Sequence, residues 1–126
     1  MQARPRHLAI LAAVYGFAAV LLAALGAHAV PLADTTALRL WDTALLIHFF
    51  HSAGMLAIAS LAIRFSTAAV AYSGWMMAGG TLLFSGSLYL RAAAIDAFPS
   101  FLAPMGGFVL LLAWVILAIA LIVSRP

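Results

Sequence analysis

Cysteine is absent from the chain, and so are lysine and glutamate. The first absence excludes disulfides, thiol chemistry and cysteine-based zinc sites. Charge of either sign is scarce: charged residues make up 7% of the 126 positions, as six arginines and three aspartates. The arginines are scattered, so no basic stripe exists to neutralise a run of phosphates, and no nucleic-acid partner is expected. The high isoelectric point reflects the lack of acids. What fills the chain is apolar: 67% of residues, far above a water-soluble domain, which at this size needs polar side chains to cover its surface. Lipid must take the place of water around such a chain.

Four apolar stretches carry that composition, at about 8–25, 43–63, 72–90 and 102–123. Each approaches the ~20 residues that cross ~30 Å of hydrocarbon at ~1.5 Å per residue. None holds an arginine or an acid in its interior, and none alternates polar with apolar as a barrel strand does. The fold class read from this is all-α: a single integral-membrane domain over residues 1–126, a four-helix bundle whose short links make neighbours antiparallel. The longest connector, Ala29 to Asp42, contains Asp34-Thr35-Thr36, which would cap a short helix ending near Trp41 and lying on the membrane surface.

With four spans, Arg4, Arg6, Arg64 and Arg125 fall on one side, and Arg39 and Arg91 on the other with Asp34, Asp42 and Asp96. The excess of positive charge on the inner face then puts both termini in the cytoplasm. Ala27-His28-Ala29 after the first apolar run imitates a signal-peptidase site, but the run is long for a signal and Pro31 follows closely, so the segment is read as retained.

Several local phrases resemble a known family when taken together. They are Gly26-Ala27-His28-Ala29, Phe50-His51-Ser52-Ala53, the run Leu83 to Leu90 containing Ser85-Gly86-Ser87-Leu88-Tyr89, and Pro104-Met105-Gly106-Gly107 followed by Ala113-Trp114. Their order and spacing resemble the YgdD-like family of small four-helix inner-membrane proteins of unknown function, over nearly the whole chain. Where that family usually has Thr before the proline of the last phrase, this chain has Ala103; before the second histidine phrase it carries Ile47 and His48. The resemblance implies the fold, a retained first helix and a bacterial inner-membrane setting. It implies no reaction.

On alternating helices the distinctive polar residues converge in the outer half of the bilayer: His28, His48, His51, Ser85, Tyr89 and Arg91. Imidazole in hydrocarbon is costly unless bonded, so His48 and His51, three apart on one helix face, are expected to point inward. His51 is expected to bond to Ser85 or Tyr89. The functional alternative for this group is a site for a lipid, quinone, haem or metal. Two histidines without an intramembrane carboxylate are an incomplete metal set, so no metal or other cofactor is expected. Nor is a catalytic set evident, since a serine nucleophile would lack a base held by a third group. Thr81, Ser85 and Tyr89 form a polar stripe suited to interhelical bonding. Gly79 with Gly86, Gly80 with Ser87, and Gly106 with Gly107 read as close-packing surfaces, within the chain or against another. Trp41, Tyr72 and Trp75 read as interfacial belt residues, and Arg39, Asp42, Arg91 and Asp96 as a solvated rim.

The function expected is therefore a non-enzymatic packing or accessory module in the lipid bilayer, as a homo-oligomer or with a membrane-complex partner. An outer-half small-molecule site is the second reading. A transporter or channel is the third; the lack of a carboxylate in any span and of an inverted repeat stands against it.

Overall fold

A computed structural model describes residues 3–95 and 99–125. It contains α1 (Ala3–His28), α2 (Thr35–Arg64), α3 (Ala68–Ala92) and α4 (Leu102–Val123), with no strand among the described residues. Asp96 lies outside them.

α2 corrects the expectation of a separate surface helix. It is one rod of 30 residues. Asp34 caps it as anticipated, its side chain accepting from the Ala37 N–H at 2.8 Å. Arg39 and Asp42 lower the hydropathy of the first three turns but do not interrupt the helix. No proline or glycine falls between Thr35 and Ser52, and Ala37, Trp41, Ala44 and His48 are buried at spacings of four, three and four, which keep one face inward. At ~1.5 Å per residue the rod is ~45 Å long, against a hydrocarbon thickness of ~30 Å.

Each helix packs against its neighbour in sequence, and α1 also touches α3. No Cα atom of α1 comes within 8 Å of one of α4, and none of α2 within 8 Å of one of α4. α3 is therefore the spine, held between α2 with α1 on one side and α4 on the other. That position explains its composition. α1, α2 and α4 are long and apolar enough to cross a membrane, whereas α3, with 25 residues, is long enough but carries Ser73, Gly80, Thr81, Ser85 and Ser87 turned against its neighbours. The core joins Leu8 and Ala12 of α1, Met55 and Ile58 of α2, Val70 and Met77 of α3, and Leu117 and Ala120 of α4, which sets the start of α1 and the end of α4 at one end of the bundle.

α3 stops in a helix cap: the Ile95 N–H donates to the Leu90 carbonyl at 2.8 Å, and Ala94 takes a left-handed conformation with φ 62°. That is a position where glycine is usual and a Cβ is strained.

Candidate functional site

Two polar clusters tie the helices together. The first joins α1, α2 and α3. The Trp41 indole N–H donates to the Leu22 carbonyl of α1 at 3.2 Å. Its ring lies so close over Gly26 that any Cβ there would collide with the indole. Trp41 meets the Tyr89 ring edge-on, with centroids 4.8 Å apart, and the Tyr89 hydroxyl bonds to Nδ1 of His48 at 3.0 Å. The ring of Tyr15 stands edge-on to His48, while its hydroxyl donates to the Ala78 carbonyl of α3 at 2.8 Å. Beside them, the Ser85 hydroxyl donates to the Ala44 carbonyl at 2.8 Å, a second bond from α3 to α2.

The second cluster joins α2 to α4. Nδ1 of His51 bonds to the Ile47 carbonyl one turn earlier at 2.8 Å, and Nε2 faces the indole N–H of Trp114 at 3.1 Å. An indole N–H can only donate and a carbonyl can only accept. The ring must therefore be neutral, protonated on Nδ1, and both of its nitrogens are used. Phe50 packs against His51 and Trp114, with centroids 5.4 and 5.7 Å away.

The expected convergence is thus divided. His48 and Tyr89 bond to each other, and Ser85 supports them through the α2 backbone. His51 corrects the expectation of a partner on α3: three residues beyond His48, its side chain turns toward α4 and takes Trp114. His28 and Arg91 are exposed at helix ends, with no hydrogen bond to these residues among the described ones. Trp41 is not a belt residue: it is 4% exposed and turned inward, because Gly26 leaves room for its ring. Tyr72 and Trp75 do keep exposed positions, as do Arg39 and Asp42.

The glycines divide as well. Gly80 and Gly106 oppose each other at the α3–α4 crossing. A Cβ on Gly106 would run into the backbone N of Phe84 and lie 2.8 Å from the Gly80 carbonyl, so two backbones are in contact there. Gly107 has only ordinary contact with the Phe84 ring, at 3.5 Å. A Cβ on Gly79 or Gly86 would meet open space. Ser87 spends its hydroxyl on the Phe84 carbonyl of its own helix at 2.9 Å.

Tyr15 and Trp114 were the partners that sequence reasoning missed. Tyr15 had a usable signal, since a tyrosine in the middle of an otherwise apolar span must find an acceptor. Among the described residues no group of three or more His, Asp or Glu gathers as a metal set would. The one buried side-chain atom among them without a partner is the Thr81 hydroxyl. The two histidines thus join helices through their bonds to Tyr89 and Trp114.

A family model described as "protein of unknown function (DUF423)" matches residues 22–107. The UPF0382 membrane protein YwdK of Bacillus subtilis is 33% identical over 114 residues, 88% of this chain and 92% of its own. A UPF0382 membrane protein of Haemophilus influenzae is 37% identical, over 86% of this chain and 87% of its own. The UPF0382 inner membrane protein YgdD of Escherichia coli, whose family the sequence phrases resemble, is 33% identical over 93% of this chain and 90% of its own. No solved structure matches.

Proposed function

The chain belongs to the DUF423 family of proteins of unknown function, and from that premise we propose that it is a non-enzymatic inner-membrane module, multi-pass with both termini cytoplasmic, that acts by associating with a second copy or a partner membrane protein. The observation that carries this reading is the saturation of His51. A catalytic or ligating imidazole needs a free nitrogen, and both nitrogens of His51 are engaged, one by its own helix and one by Trp114. His48 is tied to Tyr89 through Nδ1. Polar groups in the span serve to hold helices together, as bonded groups in hydrocarbon do.

The relative of Escherichia coli named as an inner membrane protein supports the location. The arginine balance supports the orientation. Gly79 and Gly86, where a Cβ would meet open space, support a close approach by another helix.

Native mass spectrometry of the chain, released from its own membrane in mild detergent, tests the reading. The expected spectrum contains an oligomer or a complex with a second membrane protein, and no bound mass other than phospholipid. A strictly monomeric species, or a stoichiometric haem, quinone or metal, overturns it.

A further inference from the structure

The end of the bundle that holds the start of α1 and the end of α4 also carries a groove of about 950 Å³. It runs from Pro5 in the first turn of α1, past Ile63 in the last turn of α2, to Thr67, which caps α3, and to Ala68, Tyr72 and Trp75 in the first three turns of α3. Its volume is at the upper end of the ~300–1,000 Å³ typical of small-molecule sites. We propose that this groove binds one anionic phospholipid, an acyl chain lying along Ile63, Tyr72 and Trp75 and the phosphate resting at the start of α3 beside Arg64 and Arg6.

Charge argues for the anion. Two helices begin at this end, α1 and α3, each turning the positive end of its dipole toward it. Neither has an acidic residue in its first turn. The Thr67 side chain reaches only the Ala69 N–H, at 3.4 Å. Arg64 is exposed between the lining residues Ile63 and Ser66, and Arg6 is exposed next to Pro5. No aspartate occurs in the segments 3–7, 64–68 or 124–125 that make up this end. The opposite end is a useful contrast: its shallower depression of about 380 Å³ places Asp42 beside Arg39, so the two charges offset each other.

The walls argue for a lipid and not a free phosphate. They are mostly alanine, isoleucine and aromatic side chains. Tyr72 and Trp75 are exposed about one and two turns into α3, ~6–11 Å below its start, where amphipathic rings sit at the boundary between headgroup and hydrocarbon. The inference takes only the membrane setting from the proposed function. Lipid preference is read separately from oligomeric state, so either can fail alone.

The test is competitive lipid retention on the full chain, read by native mass spectrometry from detergent containing equimolar phosphatidylglycerol and phosphatidylcholine. With two arginines and two helix starts near the phosphate, the expected outcome is one phosphatidylglycerol per chain, preferred on the order of tenfold. Arg6→Gln with Arg64→Gln should bring the two lipids to parity, and Ala68→Phe should lower retention by filling the groove. Arg39→Gln, at the other end, should leave the preference unchanged. All four positions are exposed, and circular dichroism will confirm that the variants keep their helices. No preference in the parent, an equal loss with Arg39→Gln, or a second copy retained in place of lipid overturns the proposal.

Discussion

Nε2 of His51 accepts from the Trp114 indole at 3.1 Å, and this bond joins two helices, α2 and α4, whose Cα atoms nowhere come within 8 Å of each other. The polar contact therefore bridges a gap that backbone packing leaves open. Trp114→Phe keeps the ring and removes the donor. It should lower the stability of the detergent-solubilised protein by about 1 kcal/mol, in the range of interhelical bonds within membranes. A double-mutant cycle with His51→Leu, followed by thermal unfolding, should give a coupling of that size. Additive effects would show that the two side chains are only neighbours.

Tyr89→Phe should act similarly on the other cluster. It leaves Nδ1 of His48 buried without its partner, at a cost of about 1–2 kcal/mol. Because Tyr89 also supports the Trp41 ring, the Trp41 emission should change with it, whereas Tyr72→Phe at an exposed position should alter neither quantity.

Most of the architecture could be read from the sequence, and its failures have specific causes. The apolar runs located all four helices, and α4 coincides with the stretch read as 102–123. α2 was cut short because hydropathy registers Arg39 and Asp42 as an end, while helix formation depends on the absence of breakers. Gly80 and Gly106 are legible as packing positions, but glycine spacing along α3 does not say which face meets α4, so the sequence does not separate them from Gly79 and Gly86. His51 was expected inside the bundle and is. Its partner was misplaced because depth in the bilayer can be counted from a sequence, whereas rotation about the helix axis depends on packing.

Gly106→Ala should be among the most damaging small substitutions in the chain. The added methyl meets the backbone at Phe84, which has no rotamer with which to yield, and overpacking of this kind costs about 1–3 kcal/mol. Gly79→Ala meets open space and should be neutral or raise stability by about 0.5–1 kcal/mol, the helix-interior gain of alanine over glycine. Denaturation of the monomer is the measurement. If Gly79→Ala instead breaks an oligomer while leaving the monomer intact, the surface that contacts a second copy is located.

Thr81→Val should stabilise. The hydroxyl is buried without a partner, and removing an unsatisfied polar group while keeping the shape recovers about 1 kcal/mol. A fall in the unfolding midpoint would mean that Thr81 has a bonding partner in the native membrane.

Ala94→Gly should also stabilise, by about 1 kcal/mol, since the left-handed conformation at φ 62° costs alanine about that much and glycine almost nothing. The replacement is at a helix end, away from both polar clusters, so its effect should add to that of Thr81→Val.

The order of packing along the chain bears on biogenesis. Every major helix contact is between sequence neighbours: α1 with α2, α2 with α3, α3 with α4. As synthesis proceeds, each emerging helix finds its docking surface already made. α3, with its buried serines and Thr81, arrives after α2 has displayed the Ala44 carbonyl and His48 that receive Ser85 and Tyr89. Insertion of α3 can thus be driven by its predecessor, and a ribosome-bound chain ending after Ala92 should hold α3 in the membrane only when α2 is present to meet it.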